Sequence, residues 1–531
     1  MGDPREVAVA EVADVLTGLA RAGWARLIWR ATVSDGGFQE RLSVYDAAGR
    51  AADAAVIAFR TGLVTDLGAR EAVTRLGRAL RAADGAGWHA VELTVEPGRV
   101  EAVVNTVLTQ STGHLPPTYR VVVDAARRAQ PVEHGPDAGS PREPSGDPRR
   151  VVELAKEYCE SYAQLMGRPL ELRPPATEDE IAAAEAELGL AFPADLRALY
   201  GLLDGEYNSY GLFGGPTFLA LVDVVSQWKY FCEPDEDPPS THDVGIEAHP
   251  PGTVRPVTWH PRWIPFGNRN DGNFFGVDLA PGPNGTVGQV IEFGVDYDDG
   301  PVTFVADSVT DLLADLVARM AAGEADVEPG EFFWVFPTAT QIETPDHSHS
   351  VTSLPDWLST LSTPDAVQEL YVRDMDTVDL SLLAALPRLR ILHVRDVGAV
   401  TGGRGLSACP LEQLTITTRQ ADLTDLAGHP TLRILTVSGV TELQLPAPLP
   451  RLESLAVSAS QVADLHVLAG YPTLRDLTLS GPQWTQLGDA RPSGLATAAL
   501  TGTSSLRDAA AWARRVAPAT TGSHWEHSAP R

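Results

Sequence analysis

A chain of 531 residues exceeds one ordinary core, and with 44% apolar and 21% charged residues it suits two to four folded domains and excludes wholesale disorder. A net charge of −29 argues against phosphate-backbone and membrane-surface binding, both of which need clustered Lys and Arg. The acidity is uneven: residues 1–130 hold 15 basic and 15 acidic groups, 131–150 hold 3 and 4, 151–330 hold 9 and 31, and 331–531 hold 14 and 20. A middle third at net −22 predicts a basic partner, the alternative being that the charge only keeps the chain soluble.

The first 130 residues read as mixed helix and sheet. Val12, Val15, Leu16 and Leu19 follow helical spacing, and Trp24, Leu27, Ile28 and Trp29 begin a strand that Gly36 and Gly37 end. Phe38, Leu42, Val44 and Tyr45 resume the strand pattern, and Leu67, Val73, Leu76 and Leu80 predict a second helix. Trp88 to Val95, a Glu96, Pro97, Gly98 turn, and Val100 to Val104 predict a hairpin. Helices against an antiparallel sheet make an α+β domain. With Trp24, Phe38, Tyr45, Gly49, Trp88 and the Gly98 turn, residues 1–130 resemble YezG-type immunity domains of bacterial toxin systems. The Pro- and Gly-rich stretch 131–150 then reads as a linker.

Residues 151–328 read as a second α+β domain. Thr177 and Glu180 form a capping box ahead of a helix carrying Ile181, Ala184 and Leu188, which Gly189 stops. Leu196, Leu199, Tyr200 and Leu203 mark the next helix. Trp263 to Gly267, Gly272 to Leu279, Gly288 to Phe293 and Val305 to Ser308 follow, ahead of a last helix through Leu312, Leu313 and Leu316. This order resembles the SUKH superfamily, whose best-known branch is the Smi/Knr-type yeast cell-wall-assembly regulators. The resemblance implies an α+β fold without catalysis. Many bacterial members are immunity proteins that neutralise a cognate toxin, and yeast members are signalling scaffolds. The acid- and proline-rich insertion from Cys232 to Gly252 departs from a minimal member and suits a partner-specific loop.

Residues 329–350 read as a connector holding the aromatic run Phe332 to Phe336, expected as a buried strand or a cap over the next core. From 351 to 505 the pattern L-x-x-L-x-L recurs at Val367, Leu389, Leu411, Leu432, Leu452 and Leu474, with a degenerate copy at Leu495. That period is the signature of leucine-rich repeats. The Asn usual after each strand is missing, so the turn needs another support. Residues between the leucines form two rows, led by Tyr371 and His393 and by Arg373 and Arg395, that fade to Thr and Ser. Residues 506–531 read as a short helix and a disordered tail. The fold class expected is α+β, two α+β domains followed by a leucine-rich-repeat solenoid.

Chemistry-bearing patterns are sparse. Cys159, Cys232 and Cys409 show no CxxC spacing, so neither a disulfide framework nor a zinc motif is expected. His89, His260, His393 and His429 lack ligand spacing, and His347 and His349 lie in a polar connector. Asp296, Asp298 and Asp299 resemble a calcium loop, but Gly300 comes one position early and no bidentate Glu follows. No P-loop and no zinc deaminase motif occurs. The expectation is a non-enzymatic protein without cofactor or metal. The absence of a basic, apolar leader, the cysteine usage and the Ala, Arg and Pro content point to the cytoplasm of a bacterium with a GC-rich genome.

The leading functional expectation is an immunity-type protein. Its acidic clusters, Glu233, Asp235, Glu236 and Asp237 with Asp296, Asp298 and Asp299, would mimic phosphates for a basic toxin. The alternative reading is a regulatory scaffold or signalling adaptor that binds protein partners through the repeats, at Tyr371, Arg373, His393 and Arg395.

Overall fold

In the N-terminal sheet one face is covered from within residues 1–130 and the other from the far end of the chain. A computed structural model describes residues 3–19, 24–34, 38–48, 51–52, 67–111, 118–127, 141–207, 211–232, 244–294, 302–341, 346–502, 505–520 and 522–530. The helices Pro4–Leu19 and Leu67–Asp84 pack on the face that carries Leu27, Trp29, Val91, Leu93 and Val95. Residues on the opposite face, Ala90 and Val103, join a core that includes Leu506, Ala509 and Trp512. The hairpin runs Trp88–Glu96 and Arg99–Asn105 and pairs through the expected turn.

The C-terminal tail is not disordered. His524–Pro530 is a strand paired antiparallel with Arg99–Asn105, from His524 opposite Asn105 to Pro530 opposite Arg99. The tail carries alternating Trp525 and His527, whose rings stack at 5.6 Å, and a free sheet edge lies waiting for it. Its composition of small and polar residues hid that pairing. Ser523 N donates to Thr106 Oγ1 at 2.7 Å and Thr520 Oγ1 donates to the Val122 carbonyl at 2.7 Å, fixing the return path.

The middle domain forms as its local signals dictate. Asp147 caps the helix Pro148–Met166, and Thr177 and Glu180 complete the capping box of Glu178–Leu188. Four antiparallel strands, Trp263–Asn268, Asn273–Asp278, Gln289–Gly294 and Thr303–Ala306, form the sheet with the short Thr217–Phe218, and Val309–Ala321 packs beneath. Two helices had no separate sequence reading, Pro148–Met166 and Leu221–Cys232. The end of the linker is also structured, because the Arg142 amide and carbonyl bond to Gly285 and Val287. The aromatic run covers this domain and not the next: Phe333 and Val335 enter its core, while Phe332 and Phe336 stay exposed.

From Ser348 a parallel ladder begins. Leu370, Leu392, Leu414, Leu435, Leu455, Leu477 and Ala498 stand in register on successive strands. Each is fully buried, so every rung seals the apolar interior of its neighbours. In place of Asn, Thr418 Oγ1 donates to the Gly398 carbonyl and Ser460 Oγ to the Val437 carbonyl, each at 3.1 Å. Asp374 and Asp396 turn the chain at φ 59° and 54°.

The first domain does not close on itself at residue 130. Leu108–Ser111 and Thr118–Val122 leave its sheet and extend the ladder, with Thr118–Val122 antiparallel to Thr497–Thr501. Leu108, Tyr119 and Val121 therefore belong to the ladder's core.

Leu414 sits at the middle of that core. Leu414→Ala is expected to lower unfolding stability by about 2–5 kcal/mol, measured by urea denaturation. A loss below about 1 kcal/mol would show that neighbouring rungs do not depend on one another there.

Candidate functional site

Four rows of side chains cross the ladder. The row just before the strands alternates in charge. Arg390 Nε donates to Glu412 Oε1 at 3.1 Å, Arg433 Nη1 to Glu412 Oε2 at 3.4 Å, and Arg433 Nη2 to Glu453 Oε2 at 2.9 Å. All four side chains are largely buried, and each guanidinium lies beside a carboxylate that offsets its lost hydration. This row was legible and missed: the residue after the first leucine of successive repeats reads Arg390, Glu412, Arg433, Glu453 and Arg475.

The second row is where the middle domain lands. Val244 and Ile246, at the described end of the Cys232 to Gly252 insertion, pack on Ile391 and Ile434. Gln368, fully buried, accepts from the Glu247 amide at 2.8 Å and donates back to the Glu247 carbonyl at 3.1 Å. Arg388 pairs with the Glu247 carboxylate. The described part of the insertion is thus a latch to the chain's own ladder, and not a free partner loop.

In the third row His393 is buried and Tyr371 half-buried, whereas the fourth row is exposed at Arg373 and Arg395. Tyr371 and His393 stack at 4.5 Å with their rings 12° apart, and His393 Nε2 lies 3.9 Å from Glu369. Arg373 stands opposite Arg395 in the register, and both are exposed. Thr415 and Thr436 continue the third row, and Thr417 and Ser438 the fourth.

The middle domain holds one buried carboxylate of note. Asp278 accepts from Trp263 Nε1 at 3.0 Å, the Ala280 amide at 2.8 Å and Gln289 Nε2 at 3.0 Å. Full burial outweighs these three donors and pushes its carboxyl up to about 7. The network ties strand ends together around a carboxyl that is fully buried. Burial also pushes the thiols of Cys159, Cys232 and Cys409 up to about 11, which leaves no thiolate nucleophile at neutral pH. A separate cleft of about 260 Å³ lies between Phe213, Arg269, Glu292, Thr303 and Trp334. Arg269 there is held by the nearly buried Glu292. Among the described residues no group of three or more His, Cys, Asp or Glu is placed to hold a metal, and no helix is long and apolar enough to cross a membrane.

The sequence-derived sites divide. Glu233, Asp235, Glu236, Asp237, Asp296, Asp298 and Asp299 lie outside the described residues. Tyr371, Arg373, His393 and Arg395 come together on two adjacent strands.

Residues 175–315 match the SMI1 / KNR4 family (SUKH-1). The chain carries a SUKH domain. It is 29% identical over 186 residues to the cell wall assembly regulator SMI1 of Saccharomyces cerevisiae, covering 29% of this chain and 36% of that protein. It is 28% identical over 235 residues to the cell wall biosynthesis/cell cycle regulator smi1 of Schizosaccharomyces pombe, covering 42% and 45%. The glucan synthesis regulatory protein of Neurospora crassa is 27% identical over 199 residues, covering 31% and 36%. The chain thus spans between about a third and a half of the length of these curated relatives.

The SUKH domain's stability is expected to depend on pH through Asp278. Unfolded, this carboxyl loses its proton near pH 4, whereas in the fold it keeps it to about 7. The folded state binds the extra proton, so this group's contribution falls as pH rises between those values. Asp278→Asn should flatten that part of the stability profile in chemical denaturation between pH 4 and 7. An unchanged slope would place the titration elsewhere.

Proposed function

We propose that this protein is a non-enzymatic regulatory scaffold that binds protein partners through the third and fourth rows of its ladder. The ladder is read as a leucine-rich-repeat solenoid, and the SUKH domain as a module that orients it. The observation that carries this reading is the latch. Val244 and Ile246 join the SUKH domain to the ladder's second row and Glu247 joins it to Gln368 in the first, while Arg373, Arg395 and Thr417 of the fourth row stay exposed. Such a join makes two modules one platform, so a partner touching both gains from a high effective concentration.

The relatives' names describe regulators, which favours this reading over toxin neutralisation. The toxin-binding expectation rested on the net −22 middle domain and the SUKH resemblance, with the acidic clusters at 233–237 and 296–299 as its contact points, and the comparisons do not support it. A protein partner is retained; a basic toxin is not.

Affinity capture from the source cells with the full chain is expected to recover a defined protein in stoichiometric amount. Thr415→Glu with Thr436→Lys, an opposite-charge pair placed directly across two strands of the third row, should abolish the capture while leaving the thermal midpoint in place. Recovery unchanged by the double variant would move the contact off this face, and recovery of no stoichiometric partner would overturn the scaffold reading.

A further inference from the structure

We propose that Arg373 and Arg395 form a binding site for a segment of a partner protein that carries closely spaced negative charges, as a phosphorylated side chain or a pair of carboxylates does. This deepens the scaffold reading and rests on it.

Charge is arranged in two opposite ways within one sheet. Where the strands begin, the charged row alternates in sign: Arg390, Glu412, Arg433 and Glu453 each meet an opposite charge on the neighbouring rung. Where the strands end, the fourth row does the reverse. Arg373 and Arg395 stand directly opposite each other on parallel strands about 4.8 Å apart. Like charges in that relation destabilise a sheet. Among the described residues neither guanidinium forms an ion pair, although Asp374 and Asp396 follow them in the chain. The missing charge suits an anion supplied from outside.

The surroundings fit the same ligand. Both guanidiniums are exposed, so their donors are available to a fork of oxygens. Thr417 and Ser438 continue the row with hydroxyl donors, and the stacked Tyr371 and His393 lie beside it on the same face. Two guanidiniums with flanking hydroxyls make a surface for two or three acceptor oxygens. The latch at Ile391 and Ile434 blocks one side of the face, so an extended segment lies along the third and fourth rows. Nucleic acid is disfavoured, because the −22 charge of residues 151–330 repels a long polyanion. A short anionic segment meets only the local pair.

The test uses the full chain and three degenerate peptide libraries, fixed at the centre as phosphoserine, as a Glu-Glu pair, or as serine. Fluorescence anisotropy at low salt is expected to show binding of an anionic library and none of the serine library. Arg373→Gln with Arg395→Gln should weaken that binding at least about tenfold, with a thermal midpoint no lower than that of the parent protein and a smaller dependence on salt. Preference between the two anionic libraries tells phosphoryl from carboxylate recognition. Equal binding by the double variant, or no binding of either anionic library, overturns the inference. The latter result would leave the scaffold reading standing if stoichiometric capture of a partner succeeds.

Discussion

A parallel ladder of strands has two raw edges, and the rest of this structure is arranged around them. Each interior rung satisfies its backbone on both sides, but the first and last rungs present unpaired amides and carbonyls that invite aggregation. The chain extends one end with its own N-terminal hairpin, Thr118–Val122 antiparallel on Thr497–Thr501 and the four-residue Leu108–Ser111 as the short new edge. The helix Leu506–Val516 then packs across the joint, and His524–Pro530 is drawn into the N-terminal sheet. The other end stops at the four-residue strand Ser348–Val351, and Gln368 beside it is tied to Glu247 of the SUKH domain. Residues more than 400 apart in sequence are thereby neighbours, as with Asn105 and His524 at 3.3 Å.

Burial beside the latch explains the allocation of charge on the ladder. The row that the SUKH domain adjoins is neutralised strand by strand, because buried guanidiniums must meet carboxylates. The row beyond Tyr371 and His393 lies outside the latch and is free to carry uncompensated charge. The acidic SUKH domain faces a ladder that contributes Arg388 to its Glu247, so attraction between the two modules is local. The same arrangement leaves one open strip of surface for a partner.

Much of this was legible in the sequence because local signals decide local structure. Apolar spacing located the helices Pro4–Leu19 and Leu67–Asp84 and the hairpin around Gly98, and the capping box at Thr177 located Glu178–Leu188. The recurring leucines placed Leu370, Leu392 and Leu414 in one register. What escaped was pairing between distant segments. His524 to Pro530 has no strand-like composition of its own and becomes a strand only because Arg99–Asn105 offers an edge. Gln368 looks like an ordinary polar residue until Glu247 is seen against it. Arg373 and Arg395 were found from the row pattern, but that neither forms an ion pair among the described residues is a property of the folded surface.

The central claim is that the N- and C-terminal segments of one chain pair with each other at the last rungs of the ladder. Hydrogen exchange on the intact protein measures this directly. The amides of His524–Pro530 and Thr118–Val122 are expected to be protected alongside those of Gln413–Thr417 and to open with them. Rapid exchange at 524–530 while the ladder stays protected would contradict the account.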